Sequence, residues 1–366
     1  MNHMTSTTLA VLRWLATLVT ACTLAAINIT SAHAATGVTV LPASATDGPV
    51  TVFYPTAAAQ TQVKRGTFTV TVAADGAPER GNGRLIVVSH GSGASAWVYS
   101  DLAHALVAAG FIVAMPEHAG DNWHDHSKIG PESWKLRPFE VSRAIDAIIQ
   151  DARFAPLVDA RRVGVWGMSA GGHTALTLAG GLWSPARLLA HCEAHLAEDF
   201  AACTSAATAL NGNGWDGIKK AVAMPLIRWR LRGDDAWYGH TDARIQAIVA
   251  GVPFSADFDH ATLANPAVPL GLIQAGKDLW LVPKFHSAAV IEACKTCEVL
   301  ANLPTAGHGA LLAPLPTDNP PRIARLLADP PGFNRAELPV LYGRISRFFQ
   351  THLLADGLKP QVKAIE

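Results

Sequence analysis

The sequence has no excess of charge of either sign. Its 366 residues carry 29 basic and 29 acidic side chains, and charged residues make up only 16% of the chain. Binding to a polyanion, or attraction to an anionic membrane surface, needs a basic excess. No nucleic-acid partner is therefore expected. Cysteine is also scarce, with five in all. One CxxC occurs, at Cys294 and Cys297, but no second CxxC or nearby histidine pair completes a zinc set. There is no internal repeat and no low-complexity tract, which excludes solenoid and fibrous architectures.

One long apolar run is present, from Leu9 to Ile29, and it is interrupted early by Arg13. It ends at Ala32-His33-Ala34, a small-x-small site of the kind signal peptidase cuts. Residues 1–34 read as a secretory signal cleaved before Ala35. Arg13 within the run argues against a permanent span, because a charge inside a membrane helix is costly. The expected location is periplasmic or secreted. Val19-Thr20-Ala21-Cys22 also resembles a lipobox, which would make Cys22 a lipid anchor, although apolar residues continue past it. Cleavage leaves Cys192, Cys203, Cys294 and Cys297, an even number that suggests disulfides in an exported protein. Cys192–Cys203 with Cys294–Cys297 is the simplest of three pairings.

Beyond the leader, strands alternate with helices. Val38–Val40, Val50–Tyr54 and Phe68–Val72 show β alternation, and 84–89 (RLIVVS) is a continuous apolar run of the kind buried on both faces. A helix over 100–109, a strand over 111–115 and an amphipathic helix over 138–151 come after it. Next are a strand over 162–166 and a helix over 170–179. Later strands are expected at 245–250, 270–274 and 298–303, and a closing helix at 344–354. This order predicts one α/β domain over 35–366, with a mostly parallel central sheet and helices on both faces. The alternation breaks over 185–240, which reads as an inserted cap.

Chemistry enters at Trp166-Gly167-Met168-Ser169-Ala170-Gly171-Gly172. A G-x-S-x-G pentapeptide alone is weak. Here it closes the strand RVGVW and opens the helix AGGHTALTLAG, the strand–turn–helix setting of a nucleophile elbow. Ser169 is the candidate nucleophile. A serine hydroxyl needs a base, and the base needs an orienting acid, in the chain order Ser, Asp, His for this type of fold. His308, in the loop after EVLANL, is the candidate base, and Asp278, after LGLIQA, the candidate acid. His286 and His260 are weaker bases, and Asp257 and Asp259 compete as acids. Acyl transfer also needs donors for an oxyanion. The backbone N–H groups of Ala170 and Ser92 are assigned to it, the latter from Ser89-His90-Gly91-Ser92-Gly93. His90 is read as a loop-holding residue. Trp97 and Trp123 are the candidates for substrate contact, with Trp134 as a further apolar wall. Glu117, His118, Asp121, His124, Asp125 and His126 crowd one loop, a composition that can bind metal. A polar cleft lining is the favoured reading, so no metal and no cofactor are expected.

The stretch SHGSGASAWVYSDLAHALVAAGFIVAMPEHAGDNWHD resembles the early core of bacterial dienelactone-hydrolase-like proteins, relatives of the platelet-activating-factor acetylhydrolases. PVTVFYPT, RPFEVSRAIDAI, QAGKDLWLVP and PTAGHGALL extend the likeness over most of 48–185 and 242–315. The resemblance implies an α/β-hydrolase core and ester hydrolysis by Ser169, Asp278 and His308. It does not imply dienelactone as substrate, because those enzymes typically use a cysteine nucleophile. The expectation is an exported serine hydrolase that cleaves a small-molecule or lipid-like ester through an acyl-enzyme. The alternatives are an amidase, peptidase or thioesterase with the same triad, or a binding protein on a hydrolase scaffold. Segment 185–240 matches nothing in the resemblance.

Overall fold

The computed structural model describes residues 35–354; the expected leader, with Cys22, lies outside the described residues. The described residues open with two hairpins. β1 (Ala35–Leu41) pairs antiparallel with β2 (Val50–Thr56), and β3 (Thr61–Arg65) pairs antiparallel with β4 (Phe68–Ala74). Sequence reading missed β3. It is a polar edge strand with no buried residue, so it carries no apolar alternation to detect.

The α/β alternation then begins, with β5 (Leu85–Ser89), α1 (Ser100–Ala108), β6 (Ile112–Pro116), α2 (Pro131–Gln150), β7 (Val163–Met168) and α3 (Ala170–Leu178). A two-residue strand, β8 (Leu182–Trp183), leads into three helices, α4 (Pro185–His195), α5 (Phe200–Cys203) and α6 (Asp216–Leu231). The chain returns to the sheet with β9 (Ile245–Gly251). β10 (Phe258–Asp259), β11 (Leu270–Ala275), α7 (Ser287–Ala293), β12 (Glu298–Leu303), α8 (Pro321–Leu327) and α9 (Leu338–Leu353) complete it. The ten-stranded sheet has the order β12-β11-β9-β7-β5-β6-β2-β1-β4-β3, and it is parallel from β6 across to β12.

The core lies on both faces of this sheet. Leu85 and Val87 of β5 pack with Val141, Ile145 and Ile148 of α2. Ile86 and Val88 point the other way, toward Leu102 and Leu106 of α1 and Ile345 and Phe349 of α9. That is why the strand reads as an unbroken apolar run. Two helices begin earlier than the sequence predicts. α2 starts at Pro131 rather than Pro138, and Pro138 sits inside it. A proline normally signals a first turn, and inside a helix it forfeits a hydrogen bond. Here the added turns bury Ser133, Trp134 and Arg137, which sets that loss against tertiary contacts. α9 starts at Leu338 rather than 344.

Segment 185–240 is therefore mainly helical. Cys192–Cys203 joins α4 to α5, and Cys294–Cys297 closes the turn between α7 and β12. The segment is tied to the body at several places, among them α2 and α8. Arg230 bonds the Ile129 carbonyl and Glu132, and Lys135 pairs with Asp234. Asn211 accepts from Arg325 of α8. No described helix is long and apolar enough to cross a membrane.

Candidate active site

β7 ends at Met168 and α3 begins at Ala170, so Ser169 alone makes the turn. Its backbone takes φ 59° and ψ −118°, which an L-residue adopts only under strain. Three backbone bonds hold it there: Ser169 N–H to the Gly251 carbonyl, and Phe254 and His173 N–H to the Ser169 carbonyl. The turn is tight enough that a side-chain carbon on Gly167 would collide with the Gly171 carbonyl, and one on Gly171 with the Ser89 carbonyl. The sequence calls for glycine at both positions for that steric reason.

Three side chains from separate loops converge at this turn. Ser169 Oγ lies 3.0 Å from His308 Nε2, and His308 Nδ1 lies 2.7 Å from Asp278 Oδ2. His308 and Asp278 are buried, whereas Ser169 keeps partial access. The other carboxylate oxygen of Asp278 accepts from the N–H groups of Trp280 and Leu281, each at 2.8 Å. With Oδ1 held there, the carboxylate is fixed in orientation, and Nδ1–H of His308 donates to Oδ2. Nε2 is then the free acceptor facing the serine hydroxyl. Trp280 packs its ring 5.0 Å from that of His308. Sequence reading did not single out Trp280, although its place two residues after Asp278 was the available signal.

The competing candidates are engaged elsewhere. His286 Nδ1 accepts from Ser255 N–H, and its Nε2 donates to Asp199. Asp199 also receives His191, and although burial alone would raise its pKa, these two histidines bring it down to about 2. His260 bonds the Ser255 carbonyl. Asp257 is paired with His173 inside the core, and Asp259 accepts from Ala261 N–H at a short 3-10 turn.

The loop after β5 passes beside the serine. A side-chain carbon on Gly91 would stand 3.5 Å from Ser169 Cβ. Gly91 N–H donates to Tyr99 Oη at 2.9 Å, and Gly93 N–H to Asp121 Oδ1 at 3.0 Å. Between them, no hydrogen bond among the described residues uses Ser92 N–H. Ser92 Oγ is also held by Asp121, at 2.5 Å. Asp121 in turn pairs with Arg137 at 2.8 Å, and both side chains are fully buried. Arg137 further donates to the His90 carbonyl and to Ser133 Oγ. Burial pushes the Asp121 pKa up, but the Arg137 charge and the Ser92 and Gly93 bonds outweigh it, and the net shift is downward. A single ion pair thus clamps the loop on both sides of Ser92.

The acidic, histidine-rich loop divides between interior and rim. His118 and Asp121 are buried, while Glu117 accepts from Trp123 Nε1 and lies near His124. Among the described residues no group of three or more His, Cys, Asp or Glu could hold a metal ion. His118 belongs instead to a second serine–histidine–acid chain. Ser89 Oγ is 2.8 Å from His118 Nε2, and His118 Nδ1 is 2.6 Å from Glu140 Oε2. His118 N–H also donates to His90 Nε2, which puts the His90 proton on Nδ1, facing the Gly91 carbonyl. Desolvation holds both histidines well below their ordinary pKa, and burial raises that of Glu140.

The aromatic candidates separate as well. Trp123 is 61% exposed at the rim. Trp97 packs its ring edge-on against Phe53 and under the Arg65 guanidinium. Trp134 is buried and stacks on His173.

Comparison with known proteins agrees with this architecture. The solved structure of a ferulic acid esterase from Streptomyces cinnamoneus superposes with a TM-score of 0.53 at 17% identity, covering 93% of this chain and 96% of that one. The fold is that of an α/β-hydrolase. Residues 58–129 of the chain also match the family model for platelet-activating factor acetylhydrolase, isoform II. That stretch includes β5 and the clamped loop. No curated protein sequence matches the chain.

Proposed function

We propose that this α/β-hydrolase is an exported serine esterase working through an acyl-enzyme. The observation that carries the reading is the Ser169–His308–Asp278 chain of 3.0 and 2.7 Å, set at a strained turn with an unengaged N–H beside it. His308 Nε2 takes the Ser169 proton as Oγ attacks the ester carbonyl. The N–H groups of Ala170 and Ser92 receive the oxyanion. His308 then returns its proton to the departing alcohol. A water deprotonated by His308 attacks the acyl carbon, and Ser169 is released. Asp278 stays ionised throughout and holds the imidazole in the productive tautomer. Segment 185–240 acts as the cap. It is tied both to α2, which carries Arg137, and to α8, which comes after the His308 loop.

Export is supported by two disulfides, which persist in oxidising compartments. The match of 58–129 to an acetylhydrolase model favours esters with a short acyl group as the first substrates to try. The test pairs hydrolysis of p-nitrophenyl acetate with covalent labelling by a fluorophosphonate. Turnover and labelling that both vanish in Ser169→Ala support the reading. Wild-type turnover in that variant, or a label mapped to another residue, refutes it.

A further inference from the structure

α6 is apolar on two sides, and only one of them meets the core. Its core side consists of Ala223, Ile227 and Leu231. Facing solvent are Ile218, Val222, Leu226 and Trp229, each 54–65% exposed, with Trp215 just before the helix at 65%. These positions recur at intervals of three or four residues, so they form one stripe along the helix. The aliphatic residues lie in the middle, with a tryptophan at either end. No aromatic or cation–π partner of Trp215 or Trp229 occurs among the described residues.

We propose that this stripe is a docking surface for a neutral phospholipid interface, with α6 lying in the plane of the lipid. Three observations select that occupant. The helix has 16 residues, so its stripe is about 24 Å long and about 10 Å wide, or roughly 240 Å². A stable protein dimer needs about 800 Å² from each partner, so a second copy is poorly matched. Much of the positive charge of the helix is already used internally. Lys219 pairs with Asp216, Arg228 with Glu193, and Arg230 with Glu132. That leaves little to recruit an acidic surface, and apolar insertion becomes the driving term. Finally, indole has an apolar ring and a wet N–H, which suits the boundary layer at each end of an inserted aliphatic stripe. The inference is independent of the proposed esterase activity.

The test is sedimentation of the full chain with zwitterionic phosphatidylcholine vesicles, together with tryptophan quenching by brominated phosphatidylcholine. Wild type should co-sediment equally at low and high salt. The double variant Val222→Asp with Leu226→Asp should lose at least tenfold in partitioning. These side chains are exposed, and an unchanged near-ultraviolet circular dichroism spectrum would show that the fold is retained. Trp215→Phe with Trp229→Phe should still co-sediment but lose most of the quenching. Undiminished partitioning of the Asp variant overturns the proposal, and so does full quenching in the Phe variant. Binding seen only with acidic lipid at low salt, or a dimer by light scattering that the Asp variant dissociates, overturns it too.

Discussion

The described residues contain two serine–histidine–acid chains of nearly equal hydrogen-bond length. In one, Ser169, His308 and Asp278 are linked at 3.0 and 2.7 Å; in the other, Ser89, His118 and Glu140 are linked at 2.8 and 2.6 Å. The distances do not distinguish them; the surroundings do. Ser169 keeps partial solvent access at a left-handed turn, whereas Ser89 is the buried last residue of β5. Beside Ser169 is the unengaged Ser92 N–H. Around Ser89 the side chains of His118, Glu140 and His90 are committed to buried hydrogen bonds. A proton relay becomes reactive only where a carbonyl can reach the serine and charge can be received. Elsewhere the same geometry is structural, and here it anchors the base of the loop that carries Ser92.

The sharpest way to break the comparison is to delete each serine. Ser169→Ala should lower kcat on a soluble p-nitrophenyl ester by about 10⁴–10⁶-fold, as in other triads. Asp278→Asn should cost about 10⁴-fold, because the amide favours the wrong imidazole tautomer. Steady-state rates above a tenth of wild type in either would mean that the exposed chain is not the reactive one.

The clamp between the two chains comes next. Asp121→Asn leaves Arg137 buried without its counter-ion, a defect worth about 3–5 kcal/mol in urea unfolding. It also loosens the loop around Ser92. Loss of an oxyanion donor costs about 10²-fold or more in kcat, and here KM should change little. An unchanged kcat in a folded Asp121→Asn protein would detach Ser92 from the mechanism.

Acid should then act on the buried chain. His90 and His118 titrate well below their ordinary value in the folded state because burial disfavours their charge. Below about pH 6.5 the unfolded chain takes up protons that the folded chain refuses, so stability falls as pH falls. The slope should be roughly 1 kcal/mol per pH unit for each histidine. Urea midpoints that stay level from pH 7 to 5.5 would contradict this. Ser89→Ala should have the smallest effect. Leaving His118 Nε2 without a donor costs about 1–3 kcal/mol, while kcat should stay within about tenfold of wild type. A loss approaching that of Ser169→Ala would erase the distinction between the chains.

How far each feature was legible depends on its sequence range. The elbow is local: strand, tight turn and helix occupy adjacent residues, and glycine is demanded on steric grounds at 167 and 171. Asp278 and His308 each come directly after a recognisable buried strand, so chain order was enough to nominate them. The early start of α2 was hidden by Pro138, which signals a first turn. Nothing in the local sequence around Trp97 reveals its packing on Phe53 and Arg65.

The sequence by itself determined the alternation of strands and helices and the tight strand–turn–helix at Ser169, because these depend on neighbours in the chain; it nominated Asp278 and His308 by their places after buried strands. Only the tertiary structure decided which serine stays accessible. It also paired Asp121 with Arg137, and it turned one apolar stripe of α6 outward. Those outcomes depend on contacts between distant segments, and helical periodicity alone cannot say which side of a helix meets the core.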